Sequence, residues 1–266
     1  MRVRSGVFAA WASAWLAGEA AYDDLVARVT GDDEPHRVTG LPVDRASAGA
    51  SAASHEAHPV GDVPLGWVLP VLRERSPEGV SAVLPVPGDP RGLPGPGPFT
   101  AAALAAGEAL VAHGIGLVPR VTEHGSTLGS RTTCVLWTAY QVGEPAPDPI
   151  TVAEAEHELN AAIRNAASAL AALDVASWRP EVADRLAKVR RGSAPELPPG
   201  RDGRAVRLLA QADRLAAVLD LAAADAPGGS VTSAETRARD DALRLVATAV
   251  RRARLAAYNA VPSRHR

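Results

Sequence analysis

The sequence has very few of the residues that link a chain covalently or fill a core with large side chains. It contains one cysteine, Cys134, and one lysine, Lys188, and only 4% of its 266 residues are aromatic. A single cysteine excludes an intrachain disulfide bond and favours a reducing, cytoplasmic compartment. Because aromatic residues are scarce, the core must consist mainly of alanine, valine and leucine, and its stability must come from many modest contacts.

The chain also lacks a strong excess of charge and a long hydrophobic run. Its net charge of −2 gives no overall field that would attract nucleic acid or an anionic membrane. Residues 1–150 are acidic on balance, whereas residues 151–266 are basic, and arginine supplies nearly all the positive charge. No apolar run reaches the ~20 residues that span a bilayer, so we expect no membrane-embedded segment.

Diagnostic motifs for metals, cofactors and covalent catalysis are missing as well. His55 and His58 have a metal-ligand spacing but no partner cluster, and the Glu154-x-x-His157 pattern occurs only once. Cys134 with His124 would need a third orienting group to act as a nucleophile and base. We therefore predict no cofactor, no metal and no catalytic residue, and the sequence favours a protein that is not an enzyme.

The first half of the chain has the pattern of mixed helices and strands. Residues 6–29 predict one amphipathic helix rather than a signal peptide, and residues 44–63 predict a mobile loop because they have no sustained apolar face. The segments 115–122 and 132–142 are close enough in sequence to form a hairpin. The other predicted elements are a short apolar helix or strand at 67–72, a strand at 79–86, and a helix at 101–113 capped by Thr100 and Gly114.

The second half has the pattern of helices alone. A capping box of Thr151 and Glu154 opens a helix after the proline-containing linker 143–149. Three further helices are predicted at 178–191 (with Ser177 as its cap), at about 204–225, and from a second capping box, Thr232 with Glu235, to about Tyr258. Amphipathic helices with short connections are typical of a bundle.

These elements predict an α+β fold. We expect a small, mostly antiparallel sheet with covering helices in residues 1–143, followed by a helical-bundle-like region in residues 150–260. The two regions are expected either as separate domains or packed together as one unit.

The segment 84–99 contains six prolines and four glycines between a predicted strand and a predicted helix. We call it the Pro/Gly loop. Prolines separate its glycines and remove N–H donors, so it is not a phosphate-binding loop, nor does it have the Gly-Lys-Ser/Thr signature of one. It predicts a stiff element that either recognises a ligand through Asp89, Arg91 and Thr100 or merely connects the strand to the helix.

Three functions remain open on these observations. The first is a non-enzymatic cytoplasmic binding or adaptor protein, with a protein partner or self-association through the alanine-rich helices. The second is a small-molecule-binding protein or enzyme whose pocket for an anion lies near the Pro/Gly loop, with Arg91, Arg120, His124 and Arg131 as contacts. The third and weakest is nucleic-acid contact through the arginine-rich last helix.

Three stretches of the first half resemble a family of uncharacterised proteins from high-GC Gram-positive bacteria. They are Val83-Leu-Pro-Val-Pro-Gly-Asp-Pro-Arg-Gly-Leu, Phe99-Thr-Ala-Ala-Ala and Gly116-Leu-Val-Pro119. The resemblance covers most of residues 65–142 and the helical layout beyond. Because that family has no established activity, the resemblance implies no catalytic residues, but it implies that the Pro/Gly loop is a family feature.

Overall fold

The computed structural model describes residues 2–41, 61–125, 131–144, 150–172, 197–224 and 233–260. The chain divides into two compact units. The first unit is Val3–Asp148, and the second is Pro149–Arg266 together with Met1–Arg2. A sheet with helices in the first unit and helices in the second confirm the predicted α+β class. How the predicted domains 1–143 and 150–260 pack stays a prediction.

The first unit contains four α-helices and six strands among its described residues. The helices are α1 (Arg4–Leu16), α2 (Tyr22–Thr30), α3 (Val68–Arg75, preceded by a 3₁₀ turn at Leu65–Trp67) and α4 (Pro98–Ala106). The strands are β1 (Arg37–Thr39), β2 (Val63–Pro64), β3 (Ser81–Val83), β4 (Ala109–Ala112), β5 (Ile115–Gly125) and β6 (Arg131–Gln141). No described helix of the protein is long and apolar enough to cross a membrane.

The strands form one sheet in the order β2-β1-β6-β5-β4-β3. All neighbours are antiparallel except β1 and β6, which are parallel. The predicted hairpin is present as β5 and β6, paired from Ile115 with Gln141 to Gly125 with Arg131. Pro119 is tolerated in β5 because β4 pairs only as far as Leu117, so one side of β5 has no described strand partner at the proline.

Helix α1 lies in the core of the first unit, and its N-terminus is capped from a distant part of the chain. Its cap residue, Val3, has no side chain that could accept a hydrogen bond. The buried carboxylate of Glu108 accepts hydrogen bonds from the Ser5 backbone N–H and the Ser5 hydroxyl, each at 2.8 Å. A carboxylate suits this place because free N–H groups and the helix dipole favour negative charge.

The single helix predicted for residues 6–29 is wrong, because the structure has two helices there. Gly18 adopts a φ of +77°, and its N–H bonds to the Trp15 carbonyl oxygen. The Glu19 N–H bonds to the Ala14 carbonyl oxygen. These two bonds form a Schellman motif, which ends α1 and lets the chain turn into α2.

The helix predicted for residues 101–113 is also wrong at both ends. It begins earlier, at Pro98, and ends at Ala106, because Gly107 adopts a left-handed conformation with φ of +72°. Thr100 is therefore inside the first turn rather than the cap, and its hydroxyl donates to the Gly95 carbonyl oxygen. The apolar residues after Gly107 form β4 instead, and Gly114 belongs to the turn between β4 and β5.

The remaining predictions for the first unit are partly fulfilled. The strand predicted at 79–86 is shorter, at Ser81–Val83, and the apolar element at 67–72 is helical. Most of the predicted loop at 44–63 lies outside the described residues, although Val63 is in β2.

The described part of the second unit consists of three helices: α5 (Val152–Ala172), α6 (Gly203–Ala224) and α7 (Ser233–Tyr258). The capping box at the start of α5 is present, since the Glu154 carboxylate accepts from the Thr151 N–H at 2.9 Å and the Glu154 N–H donates to the Thr151 hydroxyl at 3.1 Å. The buried residues where the helices meet are mostly alanine, with leucine and valine between them. The predicted helix at 178–191, its cap Ser177, and Thr232 lie outside the described residues.

Candidate binding surfaces

An open cleft of about 640 Å³ lies at one end of the sheet in the first unit; we call it the Arg75 cleft. The chain leaves α3 through a tight turn from Ser76 to Gly79, closed by a hydrogen bond of 3.0 Å from the Gly79 N–H to the Ser76 carbonyl oxygen. Pro77 and Glu78 occupy the two central positions of that turn, where proline fixes the backbone. The residues that line the cleft are Arg75, Ser76, Pro77, Glu78, Gly79, Ser81, Val111, Ala112, His113 and Glu144.

Polar groups of both charges surround the Arg75 cleft. The His113 Nδ1 atom lies 4.0 Å from a Glu144 carboxylate oxygen, and both side chains are exposed. The guanidinium of Arg75 lies beside the β4–β5 turn, because a Cβ built on Gly114 would be 3.7 Å from its Nη1 atom. The buried hydroxyl of Ser76 accepts a hydrogen bond from the His113 N–H. This bond joins the turn after α3 to the β4–β5 turn.

Two aromatic side chains are exposed together elsewhere in the first unit, and we call them the Tyr22–Trp67 surface. Trp67 is 63% exposed and Tyr22 is 46% exposed. The Tyr22 ring packs against the backbone of Gly66, since a Cβ on Gly66 would lie 3.3 Å from the Tyr22 Cζ atom. The absence of a side chain at Gly66 thus allows the tyrosine of α2 to lie against the backbone of the residue that directly precedes Trp67.

Acidic residues flank the Tyr22–Trp67 surface, whereas two arginines on the neighbouring helices stack on tryptophan rings. The guanidinium of Arg73 lies 3.9 Å from the centre of the Trp15 ring, and that of Arg28 lies 5.8 Å from the centre of the Trp11 ring. The exposed acidic residues next to Tyr22 and Trp67 in the chain are Glu19, Asp23, Asp24 and Asp62. These four acids place negative charge close in sequence to the two exposed rings, and the Arg37 guanidinium donates to the backbone carbonyl oxygen of Asp62.

The Pro/Gly loop is an ordered connector that packs on the sheet. Gly88, with φ of +85°, follows Pro87 in a turn whose Asp89 N–H donates to the Val86 carbonyl oxygen at 2.9 Å. Leu93 is buried in the same apolar cluster as Val83 on the sheet. The loop is thus fixed by turns and by the buried apolar side chains of Leu84, Leu93 and Phe99.

The two charged residues of the Pro/Gly loop bind each other. The Arg91 guanidinium donates to both carboxylate oxygens of Asp89, each at 2.6 Å. Such a two-point pair is the strongest geometry for these groups, and it occupies the face of Arg91 that an anion would need.

The sequence-predicted contacts Arg120, His124 and Arg131 lie on the exposed part of the β5–β6 hairpin. Arg131 lies opposite Gly125, and its guanidinium is 3.9 Å from the Glu123 carboxylate, with both side chains exposed. The strand β4 pairs only with Ile115–Leu117, so His124 stands seven residues, or about 23 Å, farther along β5. Leu93 of the Pro/Gly loop packs in one cluster with residues of β4. His124 and Arg131 are therefore far along the hairpin from the place where the loop packs.

A chain of buried and half-buried polar groups runs through the first unit. The Arg4 guanidinium donates to the two Asp33 carboxylate oxygens at 2.8 and 3.0 Å. The Trp137 indole N–H donates to Nδ1 of the fully buried His36 at 3.2 Å. Since Nδ1 accepts, the proton of a neutral His36 is on Nε2, which faces Asp33 at 3.4 Å. Sequence spacing gives no sign of this network, because its members come from α1, the turn after α2, and β6.

The ionisable groups of this region have shifted pKa values. Burial alone would raise the pKa of Asp33, but the hydrogen bonds and positive charge of Arg4 lower it below its usual value. Burial raises the pKa of Glu108, and the Ser5 hydrogen bonds only partly oppose that shift. These shifts follow from structural contacts within the core.

The environment of Cys134 argues against a nucleophile. Its thiol donates to the Glu34 carboxylate at 3.5 Å rather than to His124. Desolvation and then the Glu34 carboxylate raise the pKa of the thiol. Because the reactive species is the thiolate, this environment disfavours reactivity.

Arginines of the second unit clamp its helices together. Arg252 of α7 donates to Glu158 of α5 at 2.7 Å, and Arg254 of α7 donates to Asp213 of α6 at 2.8 Å. Arg204 likewise donates to Glu156 at 2.6 Å. Several arginines of the last helix therefore serve packing within the unit.

The side chain of Glu154 is also used structurally, in the capping box of α5, which lowers its pKa through the Thr151 hydrogen bonds. Among the described residues, no group of three or more His, Cys, Asp or Glu side chains could hold a metal ion.

Reasoning from sequence missed both the Arg75 cleft and the Tyr22–Trp67 surface. The cleft depends on the tight turn after α3 and on β4, which was assigned to a helix. The aromatic surface had one available signal, because Trp67 follows Gly66 in a chain with few aromatic residues.

Comparison with known proteins identifies the family. The Rv1486c-like protein N-terminal domain matches residues 5–153, and the Rv1486c-like protein C-terminal domain matches residues 153–255. No solved structure matches the chain.

The relatives come from mycobacteria, which confirms the predicted resemblance to an uncharacterised protein family of high-GC Gram-positive bacteria. The uncharacterized protein Rv1486c of Mycobacterium tuberculosis strain H37Rv is 32% identical over 282 residues, and ML1804 of Mycobacterium leprae is 30% identical over 292 residues. Each comparison covers 94% of this chain and 94% of the relative. With both domain models matched in order along the chain, the protein belongs to the Rv1486c-like family.

Proposed function

We propose that the protein is a cytoplasmic, non-enzymatic binding or adaptor protein that holds a cationic segment of a partner protein on the Tyr22–Trp67 surface. The exposure of both rings is the observation that carries this proposal. The single cysteine supports the compartment, because a reducing cytoplasm needs no disulfide framework.

Among the described residues, the two exposed aromatic rings are the best anchors for a partner. Each aromatic side chain buries roughly 150–250 Å² when it is covered, and tryptophan and tyrosine are enriched among the residues that supply most binding energy. Among the other described aromatic residues, Phe8, Trp11, Phe99, Trp137 and Tyr258 are buried, and Trp15 and Tyr140 are half-buried. Trp67 and Tyr22 are therefore more exposed to solvent than the other described aromatic residues.

The flanking charges define the chemistry of the partner. Asp23 and Asp24 follow Tyr22 directly, and Asp62 lies five residues before Trp67. A segment with lysine or arginine beside apolar residues would place its cations near these carboxylates and its apolar groups on the rings. Charge of this kind raises the association rate and selects against acidic partners.

The ionisable groups inside the first unit support a binding function over catalysis. Asp33 and Glu108 are held by structural hydrogen bonds, and the Cys134 thiol has a raised pKa. A general base or nucleophile needs a group in reach of a substrate and a pKa matched to its task. These groups meet neither need.

A random-peptide display selection on the purified full chain tests the proposal. Peptides are enriched on the wild-type protein and then measured individually against Trp67→Ala and the double variant Asp23→Asn/Asp24→Asn. We expect enriched peptides to carry lysine or arginine beside apolar residues. Binding should fall at least tenfold in Trp67→Ala and should weaken with salt and in the double variant.

Val218→Ala is the matched control, because Val218 is also an exposed apolar residue, at 37%, but lies on α6 of the second unit. It should leave peptide binding unchanged. The proposal fails if selection enriches no peptide, if enriched peptides lack cations, or if they bind Trp67→Ala as tightly as wild type. Sedimentation of the same protein tests self-association through the alanine-rich helices, which stays a prediction.

A further inference from the structure

We propose that the Arg75 cleft is a second binding site, and that it takes a small zwitterion, a molecule carrying both a carboxylate and an ammonium group, such as a free amino acid. This inference is independent of the Tyr22–Trp67 surface and requires no protein partner.

The size and lining of the cleft suit a small molecule. Its volume of about 640 Å³ lies within the roughly 300–1,000 Å³ of typical ligand sites. Six of the ten lining residues are polar or charged, and Pro77 with the edges of the buried Val111 and Ala112 supplies a small apolar surface. Such a lining favours a small ligand whose ends are charged and whose side group is compact and apolar.

Arg75 supplies the place for the carboxylate. Its guanidinium lies beside the His113–Gly114 turn, and it has no ion pair within the described residues. A planar guanidinium can donate two parallel hydrogen bonds to a carboxylate. The neighbouring Ser76 hydroxyl accepts from the His113 N–H, so its own O–H is not used in that bond and is a second donor on the lining of the cleft.

Glu78 and Glu144 supply the place for the ammonium group. Glu78 lies at the tip of the rigid turn from Ser76 to Gly79, and Glu144 lies beside His113. Arg75 is the arginine of the lining, and Glu78 and Glu144 are its two carboxylates. A simple anion would meet net repulsion from this set, whereas a zwitterion satisfies both signs at once.

The backbone around the cleft is held in place by hydrogen bonds, which favours a specific site over a loose arrangement of surface charges. The hydrogen bond from the Gly79 N–H to the Ser76 carbonyl oxygen fixes the turn, and the hydroxyl of Ser13 on α1 bonds to the backbone of Val80 at 3.0 and 3.1 Å. The lining residues therefore stand on backbone that is held from two sides, which lowers the ordering cost of binding.

Calorimetric titration of the purified full chain tests this inference, with the common L-amino acids as probes. For each amino acid that binds, its carboxamide and its des-amino acid are titrated as well. We expect at least one amino acid to bind, with each analogue binding about tenfold more weakly because one charged contact is lost.

Two variants test which charged group of the cleft binds which end of the amino acid. Arg75→Gln should weaken the free amino acid about tenfold but leave its carboxamide unchanged, since the carboxamide has no carboxylate for Arg75 to bind. Glu78→Gln should weaken the amino acid while leaving its des-amino analogue unchanged. Arg120→Gln, an exposed arginine on β5 outside the cleft, is the matched control and should bind like wild type.

Three results would overturn the inference. They are no binding by any amino acid at millimolar concentration, equal binding of an amino acid and its carboxamide, and unchanged amino-acid binding in Arg75→Gln. Far-UV circular dichroism and thermal unfolding of each variant establish that the fold is intact, which we expect because the substituted side chains stand at an open cleft.

Discussion

The two units of this chain are stabilised in different ways. The first unit joins distant segments through a few polar links, such as the half-buried pair of Arg4 with Asp33 and the buried contact of Glu108 with Ser5. The second unit packs alanine, leucine and valine between helices and places its ion pairs around that core. We therefore expect single substitutions to have large effects in the first unit and small effects in the second.

The same contrast applies to candidate function. Both the Arg75 cleft and the Tyr22–Trp67 surface lie in the first unit, where irregular turns bring together residues from separate elements. Among the described residues of the second unit, Arg252 and Arg254 of α7 pair with acidic side chains of neighbouring helices, and Arg244 pairs with Asp241 of the same helix. Loops and turns on a rigid framework are the usual position of binding residues.

The largest effect is expected from Asp33→Ala. Removing this carboxylate leaves the half-buried Arg4 and the buried His36 without their shared acceptor, and losing hydrogen bonds to a charged group lowers the free energy of unfolding by about 1.5–3 kcal/mol. Urea unfolding followed by tryptophan fluorescence measures the free energy of unfolding of the first unit, because four of the five tryptophans lie there.

The matched control for that experiment is Asp241→Ala. Asp241 also pairs with an arginine, Arg244, but both side chains are exposed on α7. The loss there should stay below about 0.5 kcal/mol. Equal losses for the two variants would remove the contrast between buried links in the first unit and exposed pairs in the second.

Glu108→Gln should change how the stability of the first unit depends on pH. The folded pKa of Glu108 is raised, so the folded state binds a proton more tightly than the unfolded state. Wild type should therefore lose stability from this group as pH rises from the ordinary pKa of 4.5 through the raised value. The variant has no such titration, so its stability relative to wild type should increase over that interval.

Urea unfolding of wild type and Glu108→Gln at a series of pH values measures this difference. A stability difference that stays constant with pH would contradict the raised pKa. Asp33 titrates in the opposite sense: its lowered folded pKa supplies stability above its unfolded pKa, and that stability is lost as pH falls through the folded value. Because both proteins keep Asp33, its contribution cancels in the comparison.

Thr151→Ala should have a smaller effect, in the second unit. It removes the hydroxyl that accepts from the Glu154 N–H at the start of α5, and loss of such a cap lowers the free energy of unfolding by about 1 kcal/mol. Thr248→Ala is the control, because that threonine lies inside α7, where alanine is the better helix former. Denaturation followed by circular dichroism should show a loss for the first variant and none for the second.

The smallest effect is expected for the ion pair between Arg254 and Asp213. A double-mutant cycle with Arg254→Ala and Asp213→Ala should give a coupling energy of about 0.2–1 kcal/mol that decreases with salt, because the aspartate is partly exposed. A coupling as large as the Asp33 effect would mean that the second unit also depends on a few strong links.

Local signals in the sequence predicted the elements whose determinants are local. The β5–β6 hairpin has β-branched strands, and the capping box of Thr151 and Glu154 acts within three residues. The α+β class followed from these patterns. The helices α5 and α6 begin close to where their sequence patterns predict.

Elements that depend on distant contacts were predicted poorly. A continuous helix at 101–113 was expected because the apolar residues continue past Gly107, but those residues pair with β5 as a strand. The break at Gly18 was missed because alanine and aromatic residues continue on both sides of it. The candidate sites were missed for the same reason, since tertiary structure alone brings Arg75 to Gly114 and Tyr22 to Gly66.

The most direct test of the proposed function is an NMR titration of the full chain with a cationic peptide selected on it. The indole N–H signal of Trp67, assigned with Trp67→Phe, reports on the exposed surface, and that of the buried Trp137 reports on the core. The proposed function predicts that the peptide shifts the Trp67 signal and leaves the Trp137 signal in place. A peptide that binds while the Trp67 signal stays unchanged would contradict it.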